Sequence, residues 1–141
     1  MVYVDTSALV ALIVNEARSA AVAKWYAGSK AEVVSAAWCV PEFASAMSIK
    51  QRTRQLDAGQ AHQALERFER LVANDLKLLP VEPADFHRAA VMTRDVDSSL
   101  RAGDALHLAC AERAGAKQLA TLDEVLARNA QRFKIKPIAF R

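Results

Sequence analysis

Short apolar runs alternate with helix-patterned stretches along the whole chain, and an acid recurs where one gives way to the other. Residues 2–5 read as a buried strand closed by Asp5, and 118–122 as another followed by Asp123. Between them, strand patterns at 32–35 and 77–81 are each followed by a helical period, and 135–140 reads as a final strand. Helices are expected over 8–14, 17–27, 40–54, 58–75, 83–95, 104–114 and 124–133. Two consecutive helices separate the second and third strands. The alternation predicts an α/β fold, a parallel sheet sandwiched between α-helices, in one domain spanning 1–141.

Local chemistry supports these boundaries. Thr6 or Ser7 can cap the first helix, Pro41 and Pro83 suit first helical turns, and Asp57 can cap the helix after it. Gly28 and Gly115 stand where helices stop. Residues 97–103 are polar and loop-like.

The composition narrows the class. With 141 residues, 52% hydrophobic and 25% charged, the chain is long enough for a real core and too apolar for disorder. No apolar run approaches the roughly 20 residues that span a bilayer. The start shows neither a basic lead nor a cleavage-like site, so a cytoplasmic location is expected. Cys39 and Cys110 lie among Ala, Val and Leu without Cys or His at metal-ligand spacing, and read as buried free thiols. The net charge of +3 and pI of about 9.1 permit a nucleic-acid substrate without demanding one. No GxGxxG or Walker pattern is present, which argues against a nucleotide-cofactor enzyme.

The acids carry the functional reading. Asp5, Glu42, Asp104 and Asp123 all fall at strand-to-helix turns. In a parallel sheet, ligands bind beyond the carboxyl ends of the strands. Four carboxylates converging there would repel one another unless a hard cation such as Mg²⁺ or Mn²⁺ sat between them. Each acid also has a structural reading, as a helix cap or a favourable charge on the helix dipole. His107, one turn after Asp104, reads as a general base or, more simply, as a hydrogen-bonded core histidine. Thr121 shares a strand face with Asp123 and can orient a water or an acidic neighbour. Arg101 can contact phosphate or pair with Asp97 or Asp104. Lys50, Arg52 and Arg54 form one basic cluster, and Arg132, Lys134, Lys136 and Arg141 another. Either could grip a nucleic-acid backbone, and either could be an ordinary solvated helix end.

Four segments then stand together: Val4-Asp5-Thr6-Ser7-Ala8-Leu9, Pro41-Glu42-Phe43, Arg101-Ala-Gly-Asp104-Ala-Leu-His-Leu-Ala109 and Ala120-Thr-Leu-Asp123. In order and spacing they resemble the signature segments of PIN-domain ribonucleases, closest to VapC-type toxins of type II toxin–antitoxin systems. The resemblance implies a catalytic and metal-binding set of Asp5, Glu42, Asp104 and Asp123, with Thr6, Thr121 and Arg101 in support. It implies Mg²⁺ or Mn²⁺, endonucleolytic hydrolysis of RNA by a metal-activated water, a homodimer and a cognate antitoxin, with no membrane association. Two rival readings stand beside it. One is a catalytically silent PIN-like interaction protein, whose partner surfaces would lie at 9–14 and 40–49, although both stretches read more simply as core. The other is a phospho-acceptor signalling domain, which Asp5 fits poorly because it lacks an acidic neighbour.

Overall fold

The computed structural model describes residues 1–141. Its strands are β1 (Val2–Val4), β2 (Val33–Ala36), β3 (Lys77–Leu79), β4 (Gln118–Ala120) and β5 (Lys136–Pro137). Its helices are α1 (Thr6–Ile13), α2 (Ser19–Gly28), α3 (Cys39–Arg52), α4 (Ala58–Asn74), α5 (Pro83–Arg94), α6 (Ala102–Ala114) and α7 (Glu124–Arg132). The strands form one sheet in the order β3-β2-β1-β4-β5. Every pairing is parallel, with Val2 opposite Val33 and Gln118 on its two sides. The expected α/β sandwich is the observed architecture.

Period-2 alternation explains the two layers. Val2 and Val4 point to one face of the sheet, and Tyr3 points to the other. The first face packs on α1, α3 and α4 through Leu9, Phe43, Met47 and Phe68. Phe43 and Phe68 stack there with centroids 4.3 Å apart. The second face packs on α5, α6 and α7 through Ala89, Met92, Leu108 and Leu126. Covered on both sides, β1 is buried at all three positions, which is why it is apolar throughout rather than alternating. Residues 105–111 of α6 are buried without interruption, so this helix is apolar nearly all round.

Several boundaries differ from the sequence expectation. The third strand stops at Leu79 because Pro80 follows. The last is only Lys136–Pro137, at the sheet edge, where the flanking Lys136 and Ile138 N–H groups bond to the Lys117 and Leu119 carbonyls and the missing proline donor is not needed. The loop at 97–103 is partly helical: Val96–Ser98 forms a 3-10 turn, and α6 begins at Ala102 rather than Asp104. Residues 9–11, 13 and 14 are core. Of the large apolar side chains in the second suggested partner surface, only Val40 and Ile49 are exposed, while Phe86, Val91 and Val96 expose more apolar surface on and after α5.

The strand order matters for function. From β1 the chain winds outward through β2 to β3, then crosses back and continues outward through β4 to β5. The winding reverses between β1 and β4, and in open α/β sheets the ligand crevice lies at that switch point, beyond the carboxyl ends. Asp5 directly follows β1, and Thr121 directly follows β4.

Candidate active site

Asp5 is buried, at 3% exposure. Its Oδ1 accepts the Ala8 N–H at 3.1 Å, so Asp5 itself caps α1. The expectation that Thr6 or Ser7 would cap the helix is therefore corrected. Both hydroxyls face the site instead. Ser7 donates to Asp5 Oδ1 at 2.7 Å and accepts the Leu122 N–H at 2.9 Å, tying the ends of β1 and β4 together. Thr6 donates to Glu42 Oε1 at 2.6 Å.

Thr121 links the Asp5 carboxylate to the Asp123 backbone. Its hydroxyl donates to Asp5 Oδ2 at 2.5 Å and accepts the Asp123 N–H at 3.0 Å. Asp123 caps α7 through the Leu126 N–H at 2.8 Å. Glu42 lies in the first turn of α3 and accepts from both Thr6 and His107 on the same oxygen, Oε1. Asp104 lies in the first turn of α6 and has no side-chain hydrogen bond. Arg101 stands at the start of that helix, exposed and without an ion pair, so the expected pairing with Asp97 or Asp104 does not form.

The carboxyl pKa values show that these groups share one field. Burial, then the charges of Asp123 and Asp5, and more weakly that of Glu42, push Asp104 up to about 6. Burial also raises Asp5, against hydrogen bonds from Thr121 and Ser7 that favour its charged form. Burial raises Glu42 as well, but its bonds from His107 and Thr6 prevail and the net direction is down. The four acids are thus brought to the same edge of the sheet, from four separate stretches of chain. No group of three or more Asp, Glu, His or Cys side chains is disposed to hold a metal ion in this arrangement. Three of the four carboxylates accept local donors. An all-oxygen set of one sign, with Asp104 unpartnered, has the donor chemistry that suits a hard divalent ion.

Three further residues shape the site and escaped the sequence reading. Tyr3 reaches His107 through the core, with its hydroxyl 2.7 Å from Nδ1. Trp38 Nε1 is buried without a hydrogen-bond partner beside Gly103. Gly103 leaves room for the carboxylate: a Cβ there would stand 3.2 Å from Glu42 Oε2. A glycine directly before Asp104 in a first helical turn was the available signal for that close approach. His107, 1% exposed, is the hydrogen-bonded core histidine of the simpler reading. Cys39 and Cys110 are free and buried, and burial above all lifts their thiols to about 11 and about 12. In the basic clusters, Lys50 pairs with Glu16 at 2.6 Å and Arg132 with Asp95 at 2.7 Å.

A family model of the PIN domain matches residues 2–131. The chain belongs to the PIN-domain family. Among solved structures it resembles VapC20 of Mycobacterium tuberculosis, described as a Sarcin-Ricin loop cleaving toxin. That match has 16% identity and a TM-score of 0.74, covering 92% of this chain and 95% of the other. FitAcB from Neisseria gonorrhoeae also matches at 16% identity and a TM-score of 0.74, over 99% and 97% of the two chains. FitAB bound to an IR36 DNA fragment matches at 17% identity and a TM-score of 0.71, over 98% and 94%. At these identities the likeness is one of fold. No curated protein sequence matches the chain significantly. No helix of this PIN domain is long and apolar enough to cross a membrane.

Proposed function

We propose that this PIN-domain protein is a divalent-metal-dependent endoribonuclease of the VapC type, the toxin of a toxin–antitoxin pair. The observation that carries the reading is the gathering of Asp5, Glu42, Asp104 and Asp123 at the β1/β4 switch point, with no cationic side chain paired to Asp104. Family membership and the VapC20 and FitAB folds support it.

Asp5, Glu42 and Asp104 would hold Mg²⁺ or Mn²⁺, with Asp123 beside them. When bound, such an ion offsets negative charge and makes water a better nucleophile near neutral pH. The chain's own residues do the rest. Thr121 and Ser7 fix Asp5, Thr6 and His107 fix Glu42, and the free Arg101 guanidinium stands ready for a phosphate oxygen. Water oxygen bonds to phosphorus, the bond from phosphorus to the 3′-oxygen breaks, and that oxygen takes a proton. The products are a 5′-phosphate and a 3′-hydroxyl. The reading includes a homodimer, a cognate antitoxin and residence in the cytoplasm.

Purified cellular RNA treated with the protein in Mg²⁺ or Mn²⁺, then in EDTA, tests this. Asp104→Asn is the best control, because Asp104 makes no hydrogen bond that the fold would miss. Discrete metal-dependent cuts ending in 5′-phosphate, absent from the variant, are expected. A 2′,3′-cyclic phosphate would overturn the scheme, since the 2′-hydroxyl would then be the nucleophile.

A further inference from the structure

Glu42 is held by more than its own helix. The Ala36 N–H, at the end of β2, donates to the Tyr3 hydroxyl at 3.2 Å. Tyr3 can then give its own proton to His107 Nδ1, 2.7 Å away. In the neutral tautomer that matches this donation, the ring proton of His107 is on Nε2 and is donated to Glu42 Oε1. Thr6 donates to the same oxygen at 2.6 Å. Tyr3 and His107 are both essentially inaccessible to solvent, at 0% and 1% exposure.

We infer that Tyr3 and His107 are positioning residues, a buried relay that ties Glu42 to the sheet and turns its second oxygen toward the site. Packing alone does not call for these side chains. A phenol and an imidazole in an apolar core carry a desolvation cost that a Phe and a Leu would not. Here each polar atom of the relay is matched, and the chain of bonds runs from rigid sheet backbone to one carboxylate oxygen. Two donors converge on Oε1, while Oε2 lies beside Gly103, the residue before Asp104 in the chain. A carboxylate on a first helical turn otherwise rotates freely about its side-chain bonds. Outer partners of metal-binding side chains commonly change affinity or rate by about 10–100-fold when removed.

The inference rests on the divalent-metal nuclease reading, and the full-length chain tests the two separately. Mn²⁺ affinity is measured by electron paramagnetic resonance, beside thermal midpoints and the kcat and KM for RNA. Tyr3→Phe and His107→Leu should bind Mn²⁺ about 10-fold or more weaker and lose kcat, with KM nearly unchanged. His107→Gln, whose amide N–H falls near the Nε2 position, should recover most of the loss. Wild-type Mn²⁺ binding and turnover in all three variants would leave His107 a core histidine and overturn the relay. So would equal losses in the Leu and Gln variants that track their thermal midpoints. Wild-type protein that neither binds Mn²⁺ nor cuts RNA overturns the nuclease reading and the relay's purpose with it. Imidazole nitrogen shifts of the wild-type protein decide independently of variant folding. The Nε2–H tautomer is expected for His107, and an Nδ1–H tautomer would overturn the relay.

Discussion

Asp104 is the residue on which structure and chemistry meet most directly. It is the one acid of the four whose carboxylate has neither a cap nor a hydroxyl to satisfy it. Folded, its pKa rises to about 6, first through burial and then through Asp123 and Asp5, from an ordinary 3.8. The folded state therefore keeps the proton to higher pH than the unfolded state. Between those values the folded state binds more protons, so this group's contribution to stability falls as pH rises. In EDTA, Asp104→Asn should stabilise the protein at pH 7 by on the order of 1–2 kcal/mol, discounted for partial exposure. The gain should vanish toward pH 4, and thermal melts across pH 4–7 would show it. A gain that persisted at pH 4 would mean that Asp104 is not the titrating group. Gly103 makes a second case at this scale. Alanine there favours the helix by up to about 1 kcal/mol. Its Cβ would also stand 3.2 Å from Glu42 Oε2, closer than the carboxylate tolerates without shifting. Gly103→Ala should hold or raise the thermal midpoint while weakening Mn²⁺ binding and RNA cleavage. Unchanged Mn²⁺ affinity would show that Glu42 yields at no functional cost.

At the scale of elements, the start of α5 shows how a helix is pinned to its neighbour. Asp85 is buried, accepts the Glu82 N–H at 2.8 Å, and pairs with Arg113 of α6 at 2.8 Å. Burial raises its pKa, but the Arg113 hydrogen bond and the Glu82 N–H outweigh that and the net direction is down. A lowered carboxyl pKa contributes stability above the unfolded value near 4 and loses it as pH falls below. Asp85→Ala removes a cap and a half-exposed ion pair together, and should cost about 2 kcal/mol at pH 7 in chemical denaturation. The penalty should shrink below pH 4; a penalty constant to pH 3 would assign it to packing instead. Such pairs are invisible along the sequence because they join residues 28 apart, on different helices. The elements themselves were legible, since strand and helix periods differ and Pro80, Gly115 and Asp57 mark boundaries. The start of α6 was not. Arg101, Ala102 and Gly103 look like a loop by composition, and tertiary packing of α6 against α5 draws two of them into the helix. The double role of Asp5 was hidden for a similar reason. Along the sequence a cap and a site residue read as rivals, whereas two carboxylate oxygens serve both: Oδ1 for α1 and Ser7, Oδ2 for Thr121.

Across the whole molecule, the candidate site is a consequence of winding. The order β3-β2-β1-β4-β5 sets β1 beside β4, although more than a hundred residues separate Asp5 from Thr121. Alternation along the chain predicts a parallel sheet but not which strands are neighbours, so the acids were legible and the link Thr121 makes from the Asp5 carboxylate to the Asp123 backbone was not. The relay from Ala36 through Tyr3 and His107 was equally hidden, because Tyr3 reads as one more core residue of a buried strand. With a divalent ion bound as proposed, this arrangement would make the fold and the ion interdependent. Asp5, Glu42, Asp104 and Asp123 begin or precede α1, α3, α6 and α7, so one cation there bears on the starts of four helices at once. Without it, the carboxylates repel across the switch point. An ion that binds only the folded state stabilises it by about 2.7 kcal/mol at a hundred times its dissociation constant. Mn²⁺ should therefore raise the thermal midpoint of the wild-type protein by several degrees, and Asp104→Asn should lose most of that shift. Hydrogen exchange should slow together at the first turns of α1, α3, α6 and α7 on adding Mn²⁺, while α2 and α4 stay unchanged. Protection confined to one of those four helices would mean that the acids act singly and that the winding of the sheet does not assemble them into one site.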